Sequence, residues 1–135
     1  MASIVGNADT GRVSFSVGTL VNTTTSQYKA AYVSASMTVA IGTAATDDII
    51  GLIDSFQSAG SDYVSVITHG MAKGVMRTGT SCAIGARVVC DALGTLDTAI
   101  TNTSDQTIIG RALTVPATGG AVSVYVNPYD TLTAP

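Results

Sequence analysis

Val13-Ser14-Phe15-Ser16-Val17 alternates strictly between apolar and polar residues, the period-two pattern of a strand with Val13, Phe15 and Val17 on one face. Further strand patterns follow at Tyr28 to Ala35 and in Met37-Thr38-Val39-Ala40-Ile41. They continue at Tyr63 to Thr68, Gly70 to Arg77, Ala86 to Cys90 and Thr95 to Ile100, and in the alternation of Val122, Val124 and Val126. Gly70 and Gly74 make their strand a looser one and suggest bulges. Between these runs lie turn signals: Gly42 to Thr46, Gly79-Thr80-Ser81 and Asp91-Ala92-Leu93-Gly94. Asn127-Pro128 is expected to stop the last strand. Short strands spaced by turns, with no convincing long helix, predict an all-β fold, a small single-domain β-barrel or sandwich. The boundaries expected from this pattern are an extended N-terminal arm at residues 1–11, a β domain at 12–128 and a C-terminal tail at 129–135.

One pattern occurs twice. Ile49-Ile50-Gly51 is followed by a small-residue turn, Ser58-Ala59-Gly60-Ser61, and then by Val64-Ser65-Val66. Ile108-Ile109-Gly110 is followed by Ala117-Thr118-Gly119-Gly120 and Val122-Ser123-Val124. Each copy reads as strand, turn, strand, so a duplicated hairpin is expected over 48–67 and 107–126. The segment Asp47 to Gln57 also has helical spacing at Ile49, Leu52, Ile53 and Phe56, with Thr46 placed as an N-cap. Gly51 inside it disfavours a helix by about 1 kcal/mol, and the second copy carries Pro116, which a helix would not tolerate. If the copies share a fold, both are strands, and Gly51 and Gly110 become structural glycines marking a bulge or a close backbone approach.

Composition narrows the function. Charged residues make up 11% of the chain and glutamate is absent, against roughly 25% charge in an ordinary globular protein. The surface must therefore be covered largely by Thr, Ser, Ala and Gly, which suits contact with other subunits. Six basic residues are scattered singly and the net charge is -3, so no electrostatic footprint for direct nucleic-acid binding exists. No apolar run approaches membrane-spanning length, and the N-terminus lacks the pattern of an export signal, so a soluble, non-exported chain is expected. Cys82 and Cys90 are expected to be reduced and buried, with a disulfide open to them if they face each other across a hairpin.

Little in the sequence points to catalysis or to ligand chemistry. His69, the only histidine, would need Ser65, Ser81 or Cys82 as nucleophile and Asp62 as orienting carboxylate, and nothing in the spacing demands this. Asp47-Asp48 lacks the rest of a calcium loop, and Gly70-Met71-Ala72-Lys73-Gly74 lacks the ending of a phosphate loop. No catalytic residue, metal site or cofactor is expected.

The run Ile84-Gly85-Ala86-Arg87-Val88, Asp91-Ala92-Leu93-Gly94-Thr95-Leu96, Ile108-Ile109-Gly110-Arg111-Ala112-Leu113 and Gly120-Ala121-Val122-Ser123-Val124 resembles the small capsid cement, or decoration, proteins of tailed bacteriophages. Asp48-Ile49-Ile50-Gly51 and Val64-Ser65-Val66 are similar to the first half of that family. The resemblance covers roughly residues 47–126. It implies a non-enzymatic β protein, made in the host cytoplasm, that binds the major capsid protein on the outside of the virion shell and stabilises it, often as a homotrimer. Neither nucleic acid nor membrane is an implied partner. The chain departs from shorter members by its longer N-terminal region. There Ile4 and Val5 form a small hydrophobic anchor that could lie in a groove of a shell or add to a sheet edge. The alternatives are a carbohydrate- or cell-surface-binding β module of a virion or appendage, and a small barrel enzyme using Cys82 or His69.

Overall fold

The computed structural model describes residues 10–17, 27–56, 63–99, 106–115 and 119–132. They form an all-β domain of nine strands: β1 (Thr10–Val17), β2 (Ala30–Ala35), β3 (Thr38–Ile41), β4 (Ile49–Phe56), β5 (Tyr63–Val75), β6 (Arg87–Cys90), β7 (Leu96–Thr98), β8 (Gln106–Ala112) and β9 (Ala121–Leu132). A 3-10 turn at Ala92–Gly94 joins β6 to β7. Asp47 to Phe56 contains a strand and no helix, as the duplication required.

The strand pairings close two rings. In the first, β1 pairs parallel with β3, β3 with β2, β2 with β4, β4 with β5, and β5 returns to β1, the last four antiparallel. In the second, β5 pairs with β9, β9 with β8, β8 with β6 and β6 with β7, all antiparallel. A parallel bridge from Met76 to Leu96 brings β7 back to the end of β5. Two five-stranded barrels therefore share β5, whose Tyr63–Gly70 half faces β1 and whose Gly70–Val75 half faces β9. Closure consumes the free edges that an open sheet would present to other chains.

The two rings are copies of one another, strand for strand. Val17 opposite Val39 in barrel 1 becomes Met76 opposite Leu96 in barrel 2. Phe15 opposite Val64 becomes Gly74 opposite Val122. Ala31 opposite Ile41 becomes Val88 opposite Thr98, and Ala31 opposite Gly51 becomes Val88 opposite Gly110. Leu52 opposite Ile67 becomes Arg111 opposite Tyr125. Backbone bonds repeat as well: Gly42 N donates to Ala30 O at 2.9 Å, and Ala99 N to Arg87 O at 2.9 Å. The duplication thus extends from the hairpins to the whole domain.

The core follows the duplication. Barrel 1 is filled by Phe15, Ala31, Val39, Ile41, Ile53, Val64 and Val66. Barrel 2 is filled by their counterparts Val88, Leu96, Ala112, Val122 and Val124, with Met76. Where barrel 1 has the ring of Phe15, barrel 2 has Gly74, and a methyl group there would lie 2.4 Å from Leu96 Cδ1. The larger Leu96, in the place of Val39, reaches into that space. Ala30, Leu52 and Ile67 alternate with the interior residues of barrel 1 and so point outward from it. They are buried nonetheless, in one cluster with the interior of barrel 2. Burying Leu52 and Ile67 in this way contributes about 3 to 6 kcal/mol, which fixes one barrel against the other.

Several expectations are corrected. β1 begins at Thr10, inside the expected arm. The alternation of β1 places Phe15 in the core and Val17 against it, whereas Val13 remains exposed. Tyr63 to Arg77 holds one continuous strand in place of two, because Gly70 takes φ 104 and lets the chain pass from one barrel to the other without a break. β9 runs to Leu132 through Pro128. Its pairing with β8 shifts between Gly110–Val126 and Ile108–Asp130, leaving Asn127, Pro128 and Tyr129 opposite a single residue of β8. Proline, which has no N–H to offer, is accommodated at such a bulge.

Candidate binding surface

The catalytic candidates of the sequence do not converge. His69 is exposed on β5, and its ring meets Tyr125 edge to face, with centroids 5.7 Å apart and Nε2 3.5 Å from the phenolic oxygen. Cys82 is buried against the core of barrel 2, where burial pushes its thiol up and suppresses the reactive thiolate. Ser65 is buried, with no hydrogen-bond partner for its hydroxyl. Asp62 lies outside the described residues, as do Ile4 and Val5. Both cysteines are free. Among the described residues no group of three His, Cys or Asp side chains is placed to hold a metal ion.

Asp47 has a structural task. Its Oδ2 accepts bonds from Thr43 N at 2.7 Å, Thr43 Oγ1 at 3.1 Å and Ala44 N at 3.2 Å, closing the loop between β3 and β4. Ala45 O of the same loop accepts from Thr107 N at 2.9 Å and so ties barrel 1 to β8. Gly51 and Gly110 sit at equivalent close approaches. A methyl group on Gly51 would lie 2.1 Å from Ile67 O, and one on Gly110 2.0 Å from Tyr125 O.

What the surface offers is contact area. Barrel 1 carries a groove of about 400 Å³ in which Phe15, Val33, Ile49 and Ile50 form the apolar wall, with Thr68 and Asp48 as polar groups. Val33 is 46% exposed, and Met37, at the turn from β2 to β3, 56%. On barrel 2 a row of cross-strand neighbours runs Arg87, Arg111, Tyr125, Met71, one residue from each of β6, β8, β9 and β5. These four come from distant parts of the chain, and no local pattern joins them in the sequence. Arg111 Nη1 donates to Gly85 O at 3.1 Å, which steadies the row. A second hollow, between Arg12, Asp54, Met71 and Lys73, is crossed by the Arg12–Asp54 ion pair at 2.9 Å.

In comparisons with known proteins, no family model and no curated protein matches the chain.

Proposed function

We propose that the protein is a non-enzymatic component of a tailed-phage virion that binds the outer surface of the capsid and cements the shell. The observation that carries this reading is the charge-poor outer face of the closed double barrel, in a chain with 11% charged residues and with Ile84, Leu113 and Val115 exposed. Such a face on a closed double barrel suits recognition by shape over many identical shell sites, where weak single contacts add up. The resemblance in the repeated Ile-Ile-Gly and Val-Ser-Val segments supports the same reading and gives the major capsid protein as partner and a homotrimer as the working assembly. Ile4 and Val5 are assigned an auxiliary role as an apolar anchor.

The test is co-sedimentation of the full chain with undecorated capsid shells, together with the temperature at which the shells fall apart. Saturable binding to the shell and a raised disruption temperature are expected. Protein that stays in the supernatant at all ratios would sink the reading. Replacing Ile4 and Val5 together by Asp should weaken retention at high salt and leave the fold intact; equal retention would remove the anchor from the account.

A further inference from the structure

The barrels are joined head to tail: one face of barrel 2 sits on a different face of barrel 1. On barrel 2 the contact is made by Cys90 and Gly94. A methyl group on Gly94 would lie 2.8 Å from both Ile41 Cγ2 and Lys29 Cβ, and one on Gly42 would lie 2.6 Å from Cys90 Sγ. Barrel 1 receives it with Lys29, Ala30, Ile41 and Gly42, backed by Leu52 and Ile67. A contact of this kind uses two different surfaces, so each chain keeps one unused copy of each.

Both unused copies reach solvent, with Val33, Met37, Arg111 and Tyr125 exposed and Arg87 half-buried. The counterparts of Cys90 and Gly94 in barrel 1 are Val33 and Met37, which remain open to solvent. The counterparts of Ala30, Leu52 and Ile67 in barrel 2 are Arg87, Arg111 and Tyr125, the row already described. Their differences complement one another. Met37 is larger than Gly94, and the residues that would receive it, Ala86 and Thr98, are smaller than Lys29 and Ile41. Asp48 is the charged residue of the barrel 1 groove, and Arg87 and Arg111 lie on the opposite surface. Tyr and Arg are the residue types on which interface energy concentrates.

We propose that the chains associate head to tail, the Val33–Met37 face of one copy packing on the Arg87–Arg111–Tyr125 row of the next. The contact within a chain is thereby repeated between chains. An assembly of this kind closes into a ring of barrels when the rotation between copies allows it. Capsid binding plays no part in this argument, and the test contains no shell, so its failure leaves the cementing reading standing.

The experiment is sedimentation velocity on the full chain, wild type and two variants. Met37→Lys spoils the first face and Arg111→Glu the second. Both positions are exposed, and circular dichroism checks the fold; Arg87→Glu replaces Arg111→Glu should that variant unfold. The wild type is expected to sediment as an oligomer that weakens with salt, and each variant alone as a monomer. An equimolar mixture of the variants should give a dimer and nothing larger, because one intact face of each kind remains between them. A monomeric wild type overturns the proposal. So does an Arg111→Glu chain that assembles as the wild type does, or a mixture that stays monomeric.

Discussion

Tyr28 and Gly85 hold the same place in the two barrels. Tyr28 has φ 68 and donates its N–H to Ile53 O at 2.7 Å; Gly85 has φ 82 and donates to Ala112 O at 2.7 Å. The left-handed backbone at this point is therefore a requirement of the repeat, and only barrel 2 meets it with the residue that adopts it freely. Gly85→Ala should destabilise the protein by about 1 to 2 kcal/mol from conformation alone, since nothing lies within 4 Å of the added methyl. Gly85→Asn should lose less, because asparagine tolerates this region. Urea unfolding of the two variants measures the difference, and equal midpoints would contradict the conformational account.

Gly94 combines the same conformation, φ 73, with a crowded site. An alanine there meets Ile41, Lys29 and Ala30 across the barrel junction, so Gly94→Ala should lose clearly more stability than Gly85→Ala. A comparable loss for both would show that the junction yields easily.

Gly51→Ala and Gly110→Ala should each lower stability by about 2 to 4 kcal/mol, the range of disruptive core changes. In both, the new methyl would meet a backbone carbonyl of the facing strand, which a side-chain rotation cannot relieve. The two losses should be similar. Urea midpoints that fall for one variant and not for the other would break the equivalence of the hairpins.

Cys90 makes stability depend on high pH. Burial, then the nearby carboxylates of Asp47 and Asp91, pushes its thiol up from 9.0 to about 12. The folded state thus holds its proton where the unfolded state loses it. Its contribution is fully present below pH 9 and is lost as pH rises toward 12, with a slope of up to about 1.4 kcal/mol per pH unit. Cys90→Ala should flatten the decline relative to the wild type in chemical unfolding across this range; parallel curves would refute the assignment.

Arg77 follows the bridge that closes barrel 2 and pairs with Asp91 at 3.2 Å and Asp97 at 3.0 Å. Its side chain is half exposed, so Arg77→Met should lose no more than about 1 kcal/mol, and added salt should narrow the gap. A loss several times larger, unaffected by salt, would mean that the arginine acts through packing.

The strands and the repeated hairpin were legible because Val64, Val66, Val122 and Val124 keep their chemistry in both copies. The rest of the duplication was hidden by what each copy faces. Leu52 is covered by barrel 2 and its counterpart Arg111 meets solvent; Phe15 fills a core from which Gly74 withdraws in favour of Leu96. The spacing between counterparts also drifts, from Gly51 and Gly110 to Ala31 and Val88, so no single offset aligns the halves. Strand β9 past Pro128 was unreadable for a similar reason, since the bulge that admits proline is set by β8. The two candidate contact faces are assembled from separate strands and needed the pairing register to appear.

β5 runs through both barrels, and Leu52 and Ile67 of the first are buried against the second, so neither barrel keeps its full packing without the other. Cleavage near Gly70 would leave Tyr63–Gly70 paired with β1 and Met71–Val75 paired with β9, so each ring would keep its own length of the shared strand. Because the junction is buried, heat or denaturant should melt the intact molecule in a single cooperative step, and a chain nicked near Gly70 should stay together through the packing of Ala30, Leu52 and Ile67 on barrel 2.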